Sequence, residues 1–218
     1  MRVARLYDST VGKKAVMAAT GVLLFGFVIT HLLGNLQFYL GPEALNAYGR
    51  NLRHLGALLW AARLGLLAAV LLHISAAVQL WRLNKQARPS HYEKLTAAGS
   101  SYASRTMMWS GPILALFIGY HLYHLTLGAH LLHDADGFPL VYQNVVAGFS
   151  DPLASGLYIV AMSFLGMHLM HGIWSMFQSI GWNHPKYTPL IKRIAVLTAA
   201  LIVAGNISIP VAVLLFHQ

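Results

Sequence analysis

Four histidines stand inside long apolar runs of this chain: His31, His73, His121 and His168. Neutral imidazole is the commonest metal ligand among side chains. A single histidine in an apolar helix is ordinarily a core group bonded to a carbonyl or to a neighbouring helix. Four of them, on four separate runs, form a set, because ionisable groups at membrane depth are expensive and usually functional. None of these runs has an Asp or Glu at its centre, so a carboxylate relay or ion-transport site lacks its usual parts. The chain has no cysteine, which excludes disulfides, iron–sulfur ligation by this chain and attachment of a cofactor through Cys-x-x-Cys-His. Any metal or redox group must be held by other ligands.

The elements that position these histidines follow from composition. Hydrophobic residues make up 57% of the 218 and charged residues only 10%, well short of the quarter or so expected of a soluble domain. Runs long enough to cross about 30 Å of hydrocarbon are expected at 15–40, 56–81, 106–130, 153–181 and 194–216. The expected fold is all-α: one domain over 1–218, an integral bundle of five transmembrane helices. The first run is too long for a cleavable signal and reads as a retained span. Twelve of the 15 Lys and Arg fall in the amino-terminal segment and in the second-to-third and fourth-to-fifth connections. Those segments belong inside by the positive-inside rule, which puts the amino terminus in the cytoplasm and the carboxyl terminus outside. The same distribution explains the net charge of +9 and leaves no basic helix face for nucleic acid.

Depth pairs the histidines. At 1.5 Å per residue, His31 lies about 24 Å beyond Ala15 and His121 about 22 Å beyond Thr106, both in the outer half. The second and fourth runs point the other way, and His73 lies about 12 Å from Trp81 and His168 about 20 Å from Gly181, both deeper toward the cytoplasm. Two imidazoles at one depth on different helices can take both axial positions of a haem iron, so four make two b-type haems. Gly21, Gly26, Gly34, Gly119, Gly166 and Gly172 flank these histidines and would let a flat macrocycle approach the backbone, or would serve ordinary helix packing. His121-x-x-His124 and His168-x-x-His171 put two imidazoles on one helix face. A metal-only site there would more usually include carboxylates, and His124 and His171 read as partners of a haem propionate or a quinone oxygen. His130 and His133 read as solvated. His54, beside Arg50 and Arg53, is either solvated or lines an outer quinone pocket. Arg63 is either an outer propionate partner or a snorkelling side chain. Lys13, Lys14 and Arg105 line the cytoplasmic rim, facing the inner haem, lipid headgroups or a soluble partner. A cytochrome b of another dehydrogenase, or a haem-free transporter, are the competing readings.

The segments Gly21-Val-Leu-Leu-Phe-Gly-Phe-Val-Ile-Thr-His31, Ser110-Gly-Pro-Ile-Leu-Ala-Leu-Phe-Ile-Gly-Tyr-His121 and Gly156-Leu-Tyr-Ile-Val…His168-Leu-Met-His-Gly-Ile-Trp-Ser175 resemble the single-chain, di-haem cytochrome b anchor of succinate:quinone oxidoreductases and fumarate reductases. The resemblance extends over essentially the whole chain, with a longer outer connection, 131–152, as the main departure. It implies a bacterial cytoplasmic-membrane protein in which His31 and His121 ligate a distal haem and His73 and His168 a proximal one. It also implies an FAD flavoprotein and an iron–sulfur subunit on the cytoplasmic face, with electrons passing to menaquinone in the membrane, or back in fumarate reduction. The quinone belongs either at the outer end near His54, Arg50 and Glu43 or at the cytoplasmic end near Trp81 and Arg105.

Overall fold

A computed structural model of the chain describes residues 9–87 and 102–216, with side chains from 106 onward in the second stretch. The described residues form seven α-helices. They are α1 (Thr10–Asn35), continued by a 3-10 turn over Leu36–Leu40; α2 (Pro42–His54); and α3 (Ala57–Gln86). α4 (Tyr102–Leu122) runs on into a π-helical turn over Tyr123–Leu127, and α5 (Val141–Phe149), α6 (Pro152–Ser179) and α7 (Thr188–Phe216) complete the set.

Local chemistry sets these boundaries. Ser9 caps α1 by accepting from the Gly12 amide at 3.0 Å, satisfying one of the unpaired amides of the first turn. Asp151 does the same for α6 through Leu153, with Pro152 preset for the first helical position. Between α2 and α3 the chain turns at Gly56, whose φ of 52° any side chain would resist.

Among the described residues, four helical segments are long and apolar enough to cross a membrane: Thr10–Leu40, Ala57–Gln86, Pro152–Ser179 and Thr188–Phe216. Their outer faces are apolar as well; Leu64 is 61% exposed and Leu201 73%, a surface suited to lipid rather than water. The expected third run, 106–130, falls on α4 and its π-helical turn, but helix ends at Leu127 rather than at residue 130. α7 begins at Thr188, six residues before the expected start of the last run, because Thr188 and the turn before it already bond into the helix through the His184 carbonyl.

The connections from α1 to α3 and from α4 to α6 hold two helices that the reading of apolar runs does not anticipate, α2 and α5. Both are short and amphipathic, so a window built for spans averages them away. They pack on each other at one end of the bundle. Asn46 donates to the Gln143 side-chain oxygen at 3.0 Å and accepts from the Tyr142 amide at 2.9 Å. Arg50 pairs with Asp134 at 2.8 Å. Buried Asn144 closes the loop by accepting from the Leu132 amide and donating to its carbonyl.

In the bundle, α3 packs on α1, α4 on α6, and α6 on both α1 and α7. Small residues bring α6 and α7 close: a side-chain carbon at Gly166 would lie 2.7 Å from a Val203 methyl. One core joins Leu32, Leu169, Ile173, Ala195, Ala199 and Ile202; a second gathers Phe38, Leu45, Phe149, Tyr158, Ile209 and Val213 toward the α2–α5 end.

Candidate functional site

The inward face of α1 carries buried Lys13 and Thr20, then half-buried His31. Thr20 and His31 are eleven residues apart, within about 20° of whole turns and about 16 Å along the axis. The face therefore presents one polar group at each of two levels.

At the inner level the rings of His73 on α3 and His168 on α6 stand 6.3 Å apart, centre to centre, with planes at 59°. At the outer level His31 on α1 and His121 on α4 stand 5.7 Å apart, with planes at 82°. Neither α1 with α4 nor α3 with α6 makes extended backbone contact among the described residues, so each pair bridges helices held apart. Imidazole nitrogens bound on opposite sides of one metal sit about 2 Å from it, which puts the ring centres roughly 6 Å apart. Both separations fit that requirement.

Hydroxyl groups hold three of the four rings by the Nδ1 edge. Thr20 Oγ1 lies 3.1 Å from His73 Nδ1. Its own hydrogen is donated to the Val16 carbonyl at 2.7 Å. The threonine oxygen can then only accept, so His73 carries its hydrogen on Nδ1 and keeps a lone pair on Nε2. Fully buried Ser110 acts alike: it donates to the Met107 carbonyl and lies 3.3 Å from His168 Nδ1. At the outer level the Tyr158 hydroxyl is 3.2 Å from His121 Nδ1. Such partners fix the tautomer and orientation of a ligating histidine. His31 has no hydrogen-bond partner among the described residues; it stacks on Phe27 at 5.2 Å.

Each bracing hydroxyl sits on a helix that supplies a histidine to the other level. Thr20 shares α1 with His31, Ser110 shares α4 with His121, and Tyr158 shares α6 with His168. None of the three stood out in the sequence, although Ser110 and Tyr158 lie in segments that carry the resemblance. A hydroxyl in a transmembrane helix is usually satisfied by its own helix carbonyl, so the signal available was only the repeated spacing of ten or eleven residues to the histidine.

Other expected site residues are placed as follows. His124 Nδ1 is 3.1 Å from the same Tyr158 hydroxyl, and its ring stacks on Tyr120 at 5.2 Å. His171 is half-buried one turn below His168 and has no hydrogen-bond partner among the described residues. His54 is exposed and rests against Phe138. Arg50 is engaged with Asp134 and lies over Phe138, so it anchors the outer loop. Arg63 lies ten residues before His73 on the partly buried stripe of α3, its guanidinium over Trp60 at 5.1 Å. Partial burial and the Arg63 charge pull the Arg53 guanidinium below its ordinary range, so these two like charges are close. Lys14 is exposed, whereas Lys13 is buried on the inward face. The Arg105 side chain lies outside the described residues.

The glycines divide. A side-chain carbon at Gly34 would meet the Tyr48 ring at 2.6–2.8 Å, and one at Gly166 would meet Val203, so both serve helix packing. At Gly26, Gly119 and Gly172 it would meet nothing within 4 Å, and at Gly21 it would touch only His73 at 3.5 Å. Of these four, Gly21 is the one shown beside a histidine ring, and Gly119 is exposed.

No curated protein and no solved structure matches the chain. Residues 82–207, more than half the chain, match the family described as the succinate dehydrogenase/fumarate reductase transmembrane subunit. The match takes in His121 and His168 with the α4, α6 and α7 bundle that positions them. The chain is therefore a multi-pass membrane protein that belongs to this family, the membrane-anchor subunits of succinate:quinone oxidoreductase complexes.

Proposed function

We propose that the chain is the single-chain, di-haem form of this anchor. It forms one domain of five spans over 1–218, with α4 and its π-helical turn as the third span and the amino terminus in the cytoplasm. It carries electrons between an iron–sulfur subunit, docked with an FAD flavoprotein on the cytoplasmic face of a bacterial membrane, and menaquinone. The observation that carries this reading is the pair of facing imidazole pairs at 5.7 and 6.3 Å, three rings of which are turned by a hydroxyl at Nδ1.

His31 and His121 hold the distal haem, and His73 and His168 the proximal one. A haem b held by two imidazoles supplies a one-electron couple without an open iron position for oxygen. The chain's own residues do the rest. Thr20 and Ser110 orient the inner pair, Tyr158 and Phe27 the outer pair, and the apolar helix faces exclude water. Buried Lys13, two turns below Thr20 on one face, is a better inner propionate partner than exposed Lys14. Arg63 takes the outer propionates: at ten residues from His73, antiparallel to α1, it stands near the level of His31. We assign the quinone to the outer end, where Arg53 and Arg63 offer paired positive charge to an anion and Arg50 is already engaged.

Single replacements test the ligand set. His73→Ala or His168→Ala is expected to remove one of two haems per chain and leave the other, counted by pyridine haemochrome on the purified complex. His31→Ala or His121→Ala should remove the other one. Unchanged haem content in any of the four rejects the reading.

A further inference from the structure

The two levels differ in how their hydroxyls are engaged. Thr20 and Ser110 each donate to a carbonyl of their own helix and so end a hydrogen-bonded chain. Tyr158 has no such carbonyl: its hydroxyl lies between two imidazole Nδ1 atoms, His121 at 3.2 Å and His124 at 3.1 Å. A phenol has one hydrogen, so it can satisfy both nitrogens only by donating to one and accepting from the other. The tautomer that leaves Nε2 of His121 free sets the direction. His121 donates through Nδ1, Tyr158 accepts, Tyr158 donates to His124 Nδ1, and His124 carries its hydrogen on Nε2.

The surroundings hold this chain in one geometry. The Tyr158 ring is buried edge-on against Phe149 at 4.7 Å and Phe117 at 4.9 Å. His124 sits in the π-helical turn, stacked on Tyr120, and its Nε2 edge would lie 3.0 Å from a side-chain carbon at Gly148 of α5. His124 thereby reaches the helix of the outer cap.

We propose that Tyr158 is a positioning residue for His121, a bridge whose far end, His124, sets how strongly the phenol oxygen accepts and hence the redox potential of the distal haem alone. A hydroxyl that donates its own hydrogen accepts more strongly. A histidine that donates to a stronger acceptor is a more basic ligand and favours the oxidised metal. His124 acts on the distal haem through its hydrogen bond to Tyr158. This rests on the assignment of His121 as a ligand.

Redox titration of the purified complex tests it, the distal haem being identified as the one lost in His31→Ala. Tyr158→Phe keeps the ring packing and removes the bridge. It should raise the distal potential by about 59 mV, a tenfold change in the oxidised-to-reduced ratio of a one-electron couple, and leave the proximal haem in place. His124→Phe keeps the stack on Tyr120 and should shift the distal potential in the same direction by less. In the double variant His124→Phe should add nothing. Should Tyr158→Phe lose the distal haem outright, a shift in His124→Phe alone still supports the bridge, and a silent His124→Phe overturns it. An unmoved distal potential in Tyr158→Phe, or equal His124→Phe shifts with and without Tyr158, also overturns it. A wild-type complex lacking the second haem is a separate failure, that of the ligand assignment.

Discussion

Thr20 shows how little a residue needs to do to organise a site. Its hydrogen goes to Val16, and what remains is an oxygen that only accepts, aimed at His73. Removing that oxygen takes one of two acceptors from the His73 ring, the Met17 carbonyl being the other. Thr20→Val is therefore expected to weaken haem retention at the inner level by about 10- to 100-fold, whereas Thr20→Ser retains it. Haem titration of the apo-complex distinguishes the two. The histidines themselves were legible in the sequence, because imidazoles are rare in apolar runs and their depths can be compared along ideal helices. Thr20, Ser110 and Tyr158 were not, since nothing in a sequence says that a hydroxyl's second lone pair faces another helix. Lys13 and Lys14 make the same point: adjacent and chemically alike, one is buried and one exposed.

For the helices, contacts at single glycines predict which ones matter for packing. Gly34→Ala would drive a carbon into the Tyr48 ring, a rigid neighbour on α2, and overpacking of that kind costs about 1–3 kcal/mol. Gly65→Ala meets nothing within 4 Å on the same criterion. Thermal unfolding in detergent should show a lowered Tm for the first and an unchanged one for the second. Asn144→Ala would leave the Leu132 amide without its partner, a loss of about 1–3 kcal/mol if it stays buried, while the Leu132 carbonyl keeps the Leu140 amide. It should loosen the outer loop, read as faster amide exchange over 131–150 with haem content unchanged. The spans were readable because each is a run of twenty or more apolar residues. α2 and α5 were hidden because their apolar residues occupy one face only and each is too short to register as a span.

The whole molecule presents opposite chemistry at its two ends, and its lack of cysteine makes that measurable without background. With the five spans proposed, Asp136→Cys lies outside and Lys85→Cys in the cytoplasm, one on each side of the third span. A membrane-impermeant thiol reagent on sealed, right-side-out vesicles should modify the first at once and the second only after permeabilisation. Labelling of both from one side would remove the third span. The orientation under test rests on charge distribution, since twelve of the 15 basic residues cluster in alternate connections.

On the di-haem proposal, α1, α4 and α6 each carry a ligand for one level and a brace for the other, so the surroundings of the two histidine pairs cannot drift apart in evolution one at a time. Inserting a single residue between Thr20 and His31 would swing everything beyond it by about 100°, unseating either His31 from His121 or Thr20 from His73. Substitution can tune either histidine pair separately; a change of length within these stretches takes the ligand from one level or the brace from the other, as a slipped tooth on a shared shaft always puts one of two wheels out of step.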